Sequence, residues 1–238
     1  MRKLVKGDEP AILADVRQSC ANDKIGNFYD NCLLPGWKDV IRQALWQAQH
    51  GYCAYTGLRI RRSEKGVDPK SSVIEHIYPR NPDKSDPYFR KHPYGQLPQC
   101  DVRWENLLLC VKVEAKYGEK TKENKCPPPD FLHPFSDLFS EEIFVFHEDG
   151  RITPEKEANE AATKTIEILN LNHKELVGKR LALYSQLNLV VDPNEVLDDL
   201  ADIDDSVFDF DQLILDAKRH AFEFSFAVEQ IAKRKKAG

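Results

Sequence analysis

The sequence predicts an α+β fold in which a small strand-bearing centre, near residues 51–126, is embedded in helices from both ends. Between residues 37 and 50, apolar side chains recur at the spacing of a helix face. The run 73–77 is short, apolar and β-branched, which is typical of a strand. In residues 141–153 an apolar stretch, an Asp-Gly turn and a return stretch indicate a hairpin.

The elements up to the end of the first strand follow from local patterns. Residues 10–20 predict a short helix, and the helix at 37–50 is bracketed by glycines. Residues 52–60, "YCAYTGLRI", place a Thr-Gly turn between aromatic and β-prone flanks and predict a second hairpin. Charged loop residues 61–72 then lead into the strand at 73–77.

A long loop follows this strand. Residues 79–103 contain five prolines and little periodicity, and a loop of this length inside a domain is usually functional or disordered. We expect it to be mobile in the isolated protein and ordered by a substrate or partner. Residues 102–120, "VRWENLLLCVKVEAKYGEK", predict a strand or turn that enters a helix beginning near Asn106.

Helices dominate the C-terminal part of the prediction. One is expected from Thr153-Pro154-Glu155 to about residue 169, because threonine is an N-cap candidate and proline suits the first helical position. A second covers about 174–187 and a last one about 211–236. Residues 192–211 hold nine acidic residues and no lysine or arginine, predicting an acidic surface and a charged helix start.

These elements divide the chain into three regions. We expect an N-terminal helical region at 1–50, the strand-bearing core at 51–126, and a C-terminal hairpin with helices at 127–238, together forming one compact unit.

Composition indicates an ordinary globular protein. The chain has 238 residues, of which 41% are hydrophobic and 31% charged. No apolar run approaches the roughly 20 residues that span a bilayer, and the N-terminus lacks the apolar segment of a signal peptide. We therefore expect a cytoplasmic protein without membrane contact, whose six cysteines are reduced thiols.

Charge is unevenly distributed along the chain. The net charge is −5, yet residues 51–126 hold 15 lysines and arginines against 10 acidic residues. A basic middle within an acidic frame favours a local site for a polyanion such as nucleic acid, with chance patchiness as the alternative.

The pair Glu75-His76 is the strongest chemical signal. A neutral imidazole with a pKa near 6.5 can accept a proton from water at neutral pH. Adjacent residues on a strand point to opposite faces, so both side chains can act at one site only if the strand bends or ends there. Pro79, three residues later, is consistent with such an end.

The ordered motifs "GYCAYTG", "IEHIYP" and "WENLLLC" resemble those of HNH nucleases, which have the ββα-metal fold. The resemblance implies an HNH endonuclease that hydrolyses DNA or RNA, with His76 as general base and Asn106 fixing the loop. It further implies a divalent metal, Mg²⁺ or Mn²⁺, held by Glu75. Glu114 and His92 are the candidates for further metal ligands, since the family's last helical ligand is not evident.

A narrower resemblance covers about residues 1–187. "MRKLVKGDEPAIL", "IEHIYPR", "WENLLLC" and "TIEILNLNHKELVGKR" together are similar to the PtuB type of HNH protein. This implies an effector of a Septu or retron antiphage defence system that works with a PtuA-like ATPase. A retron reverse transcriptase with its msDNA is a further partner that the resemblance allows.

The chain departs from the family where many HNH proteins bind zinc through two C-x-x-C pairs. Cys53 is followed by Thr56, and Cys110 by Val113, so neither pair is complete. We expect no structural zinc, with both cysteines as buried small residues. Because the last metal ligand of the family is also not evident, a catalytically degenerate adaptor that binds an ATPase or nucleic acid remains an alternative to the enzyme. A zinc-finger-like binding module is a weaker one.

Two further sets of residues are candidates for binding. Basic side chains of the central region could contact phosphates, with a solvated basic surface as the alternative: Arg80, Arg90, Lys91, Arg103 and Lys112. Phe222, Phe224 and Phe226 alternate within the predicted last helix, so one helix face cannot bury all three. We expect at least one of them to face an ATPase partner, unless two of the protein's own helices enclose them.

Overall fold

The computed structural model describes residues 3–20, 27–190 and 209–237, and the fold is a mixed α+β arrangement. Three helices lead into the centre: α1 at Ala11–Ser19, α2 at Phe28–Asn31 and α3 at Pro35–Ala48. Prolines stand at the start of two of these helices, because Pro10 is the N-cap of α1 and Pro35 lies in the first turn of α3, where proline is favoured.

The strands form three separate antiparallel pairs among the described residues. The first is β1 (Arg62–Ser63) with β2 (Gly66–Val67), and the last is β5 (Phe144–Phe146) with β6 (Ile152–Pro154). The central pair joins β3 (Ser72–His76) to β4 (Leu107–Val111), with Val73 opposite Cys110 and His76 opposite Leu107. The predicted strand at 73–77 and the hairpin at 141–153 are confirmed.

The segment 52–60 turns back on itself as predicted. Tyr52 bridges to Arg59, and the Cys53 N–H donates to the Leu58 carbonyl over 2.8 Å. Gly57 has φ +77, a backbone conformation that favours glycine, at the tip of this turn.

The prediction of a helix beginning near Asn106 is wrong. Trp104–Asn106 form a 3₁₀ turn, the chain continues as β4, and α4 begins only at Glu119 and ends at Lys122. Leu107–Cys110 are all fully buried, and an apolar run covered on both faces is as compatible with a central strand as with a helix. Pairing with β3 decides between the two.

The predicted helix start at Thr153-Pro154 is also wrong. Thr153 pairs with Val145 in the hairpin, so this segment belongs to β6. The helix α5 spans Glu160–Ile168 and is capped by Asn159, whose side chain accepts a hydrogen bond from the Ala162 N–H. The following helix α6 spans Lys174–Gln186, close to its predicted bounds.

The last predicted helix is two helices. α7 spans Phe210–Lys218 and α8 spans Ser225–Ala237, and between them Phe224 has φ +51. The Phe224 N–H donates to the Gly57 carbonyl over 3.1 Å, so this break is tied to the turn at 52–60. Most of the acidic run, residues 192–208, lies outside the described residues.

The break changes where the phenylalanines lie. Phe224 and Phe226 are 5% and 8% exposed, and the Phe226 ring meets the Phe146 ring edge-on at 5.7 Å. Phe222 is half-buried and packs against the same core. The premise that all three lie on one helix is therefore wrong, because Phe222 and Phe224 precede α8. Contact of one of them with a partner stays a prediction.

One hydrophobic core draws on all three regions of the chain, for example through Leu13, Leu108 and Val228. The proline-rich loop 79–103 packs through two 3₁₀ turns, Pro93–Gln96 and Cys100–Val102. Its mobility in solution stays a prediction. Among the helices that the structure describes, none has the length and apolar character needed to cross a membrane.

Candidate functional site

His76 is the last residue of β3 and is 4% exposed. Its Nε2 lies 2.9 Å from the carbonyl oxygen of Asp101, and Tyr29 meets the ring edge-on with centroids 4.7 Å apart. Because a carbonyl only accepts, Nε2 must carry the hydrogen. The lone pair of the neutral ring then belongs to Nδ1, which is the atom able to accept a proton.

The environment keeps this imidazole neutral. Burial, with the nearby Arg80 charge, lowers the pKa of His76 to about 3. The ring is therefore unprotonated at neutral pH, which a general base requires, but it is a weak base. An anionic phosphate beside it would raise its pKa, because a negative charge favours the imidazolium.

Asn106 holds the end of β3 from the 3₁₀ turn that precedes β4. Its Oδ1 accepts from the Tyr78 N–H over 2.7 Å, while its Nδ2 donates to the carbonyls of Tyr78 at 3.0 Å and Cys100 at 2.9 Å. The side chain is fully buried and its bonds all go to backbone. The role expected of Asn106, fixing the loop after His76, matches these contacts.

Glu75 points to the opposite face of β3 from His76, as strand geometry requires. Its Oε1 accepts from Lys122 Nζ over 2.8 Å, and the same ammonium donates to the His76 carbonyl over 2.8 Å. The Lys122 side chain is 0% exposed. Sequence reasoning missed this lysine, which the four-residue helix α4 delivers to β3.

A second carboxylate lies near this pair. Burial, and the charge of Glu75, raise the pKa of Glu119 to about 7. Glu119 opens α4 and Lys122 closes it, so the one-turn helix brings a carboxyl group and an ammonium group near Glu75.

The two proposed additional metal ligands do not join Glu75. Glu114 is exposed after β4, where it lines a surface groove. His92 is buried and accepts from the Tyr94 N–H through Nδ1 over 3.2 Å. Burial, with the Lys122 charge, lowers the pKa of His92 to about 4.

A divalent ion therefore does not fit the described residues. Mg²⁺ and Mn²⁺ need several oxygen or imidazole ligands that converge on one point. Within residues 3–20, 27–190 and 209–237, no three His, Cys, Asp or Glu side chains form such a group. The one expected ligand carboxylate, Glu75, is instead paired with an ammonium.

Two of the predicted phosphate-binding residues share a groove of about 460 Å³ that borders the Ser72 end of the strand pair and is also lined by Tyr29, whose ring meets that of His76. Arg80 lies over the Tyr29 ring, 4.9 Å from its centroid, and is paired with Asp30. Lys112 lines the same groove. Sequence reasoning missed the further bases there: Lys38, Arg42 and Lys120.

The other predicted basic residues lie apart from this groove. Arg90 borders a second groove that also includes Arg80, and its guanidinium packs on the Phe89 ring. Lys91 is exposed. Arg103 donates from Nε to the Pro98 carbonyl over 3.2 Å, so its side chain helps to fold the loop.

The incomplete cysteine pairs meet in the fold. Cys53 is hydrogen-bonded to Cys110 and Thr56, and both cysteines are buried. Burial raises the pKa of the Cys53 thiol, but these bonds and two from backbone outweigh it and lower the pKa to about 6. Two thiols and a hydroxyl thus gather where a complete pair of C-x-x-C motifs would supply four thiols.

Comparison with known proteins assigns no family. No model of a known protein family matches the chain, and no curated protein matches it.

Proposed function

We propose that the protein is an HNH-type endonuclease that hydrolyses phosphodiester bonds of DNA or RNA. The observation that carries the proposal is the junction of β3 and β4, where Asn106 clamps the backbone after a neutral His76. β3, β4 and α4 also follow one another in the strand–strand–helix order of the ββα-metal fold.

The chemistry assigned to His76 is proton transfer. With Nε2 donating to the Asp101 carbonyl, Nδ1 takes a proton from water as the water attacks phosphorus, and the leaving oxygen departs from the phosphorane. Arg80 packs on Tyr29, whose ring meets that of His76, and we assign to it the stabilisation of negative charge on the phosphate.

The groove supports binding of the substrate backbone. Arg80, Lys112 and the further bases there can neutralise phosphates. None of these contacts reads a base edge, so we expect binding with little sequence preference and strong dependence on salt.

No step is assigned to a metal ion, because the residues around Glu75 do not fit one. The sequence resemblance implies Mg²⁺ or Mn²⁺, whereas the arrangement around Glu75 favours cleavage without a metal ion. An experiment distinguishes metal-dependent from metal-independent cleavage. Cleavage of plasmid and of total RNA is measured with Mg²⁺, with Mn²⁺ and with EDTA.

The test of the enzyme uses His76→Ala, with His147→Ala as the control. His147 lies in the hairpin turn, where it bonds Thr153, far in sequence from the strand pair. We expect His76→Ala to lose at least about 100-fold in cleavage rate, in the range for loss of a general base, and His147→Ala to lose none. Equal cleavage by wild type and His76→Ala contradicts the proposal.

A second candidate function is a catalytically degenerate adaptor. The Lys122–Glu75 ion pair favours it, since the carboxylate expected to hold the metal is already neutralised. Both functions use the partner that the resemblance implies, a PtuA-like ATPase, with a retron reverse transcriptase and msDNA as a further assembly. Co-purification with the ATPase encoded beside this protein tests the partner, and a complex without cleavage under any condition favours the adaptor.

A further inference from the structure

Glu75 carries the carboxylate that an HNH-type site would offer to a metal, and here it already has a cation. Lys122 Nζ lies 2.8 Å from Glu75 Oε1 and 2.8 Å from the His76 carbonyl oxygen. A carboxylate and a backbone carbonyl are both ligand types of hard divalent ions. The ammonium thus occupies the point on which these two oxygens converge.

The burial of Lys122 disfavours separation of the ion pair. Lys122 is 0% exposed, and an ammonium is rarely buried unless it is paired. The Glu75 side chain is 12% exposed, so both partners of the ion pair are largely buried. Separating the pair inside the protein would leave Lys122 as an uncompensated buried charge, which is strongly destabilising.

The surroundings of Lys122 contain the residue types from which metal sites are made. Its charge acts on Glu119 and His92, and these lie near Glu75 and the end of β3. Without a cation, two carboxylates would share this pocket and repel each other. The lysine supplies the missing positive charge.

We propose that the ammonium group of Lys122 is the resident cation of this site and excludes divalent metal ions from Glu75. The role of the site in catalysis rests on the proposed function, but the exclusion of metal does not. Being fully buried, Lys122 acts as a positioning residue: it fixes the carbonyl of His76, and with it the backbone that carries the imidazole.

Binding of Mn²⁺ to the full chain, measured by electron paramagnetic resonance without any substrate, tests the inference. Wild type and Glu75→Gln should bind Mn²⁺ equally weakly. Lys122→Ala should bind it at least about tenfold more tightly, because a like charge has been removed from among oxygen ligands. The double variant Lys122→Ala/Glu75→Gln should lose that gain.

A matched control is Lys125→Ala, which removes an exposed lysine three residues further along and should leave Mn²⁺ binding unchanged. Tight binding by wild type that Glu75→Gln abolishes would overturn the inference, and so would a folded Lys122→Ala variant without any gain. If Lys122→Ala does not fold, the comparison of wild type with Glu75→Gln decides alone.

This readout separates the inference from the proposed function. A protein without nuclease activity can still show the Mn²⁺ pattern, in which case only the enzyme proposal fails. Cleavage that EDTA abolishes, together with Mn²⁺ binding through Glu75, overturns the inference while the enzyme proposal survives. A purely structural lysine would not change Mn²⁺ affinity.

Discussion

Two buried polar side chains hold the end of β3 from different elements, and they do so by different physics. Asn106 is neutral and satisfies three backbone groups. Lys122 is charged and joins one carboxylate and one carbonyl. The first costs little to bury because each polar atom exchanges water for a protein partner. The second must offset the desolvation of two charges.

Asn106 therefore contributes rigidity, whereas Lys122 contributes a fixed charge to the electrostatics of the site. The amide clamp fixes the backbone on both sides of the His76 loop without adding charge. The ammonium adds a fixed positive charge on the Glu75 face of the strand, whereas Arg80 stands near the imidazole. The two contributions can be broken separately by substitutions at Asn106 and Lys122.

Replacing Asn106 with alanine should have the largest effect. The Tyr78 N–H and two carbonyls would lose their partners in a fully buried position, which we expect to lower the free energy of unfolding by about 4 kcal/mol. Urea denaturation measures it. Asn81→Ala removes an exposed asparagine and should change stability by less than about 0.5 kcal/mol. Equal, small changes in both variants would show that the clamp contributes nothing.

Removing the charge of Lys122 should come next. Lys122→Met leaves Glu75 without its partner in a largely buried position, and we expect a loss of about 3 kcal/mol. Lys122→Met/Glu75→Met replaces the whole pair with apolar side chains and should recover at least about half of that loss. Chemical denaturation of both variants measures the difference. A double variant as unstable as Lys122→Met plus Glu75→Met added together would mean that the two side chains do not interact.

Asn106 and Lys122 also differ in whether the sequence alone could predict their roles. His76 and Asn106 belong to compact motifs, and the strand at 73–77 was visible in its β-branched residues. Lys122 was not foreseen because it meets Glu75 across 47 residues, and a lysine in a charged segment is usually solvated. The one-turn helix α4, which follows β4, brings Lys122 to Glu75.

Other errors arose where tertiary contacts decide local structure. Leu107–Cys110 became a strand through pairing with β3. Thr153 is a residue type that often caps helices, but here it pairs with Val145 in the hairpin. The break before α8 depends on the bond from Phe224 to Gly57, a contact between residues 167 positions apart in the sequence that no periodicity reveals.

Lowering the pH should destabilise the protein through its buried histidines. A substitution of His133 measures the contribution of one of them. Burial, with nearby positive charges, lowers the pKa of His133 to about 3, and its Nδ1 has no hydrogen-bond partner among the described residues. Between pH 6 and 4 the unfolded chain binds a proton there that the folded chain does not, so stability falls by about 1.4 kcal/mol per pH unit from this residue.

The variant His133→Phe should therefore show a slope of stability against pH that is shallower by close to one proton over this range. Glu119, whose pKa is raised, acts with the opposite sign, losing stability as pH rises toward 7, but it is common to both proteins and cancels in the difference. Denaturant titrations at several pH values give both slopes. Identical slopes would mean that His133 is protonated in the folded protein.

Chelation should have the smallest effect, because the cysteines near Cys53 are satisfied by protein groups and not by a metal ion. Cys53 is hydrogen-bonded to Cys110 and Thr56, so the contacts that zinc would make are made by the protein itself. We expect EDTA to shift the melting temperature by less than about 1 °C, since a structural zinc contributes directly to folding and its removal would unfold the centre. Differential scanning calorimetry with and without EDTA, alongside elemental analysis, measures this. A large drop, with one zinc per chain lost, would show that ligands outside this trio complete a metal site.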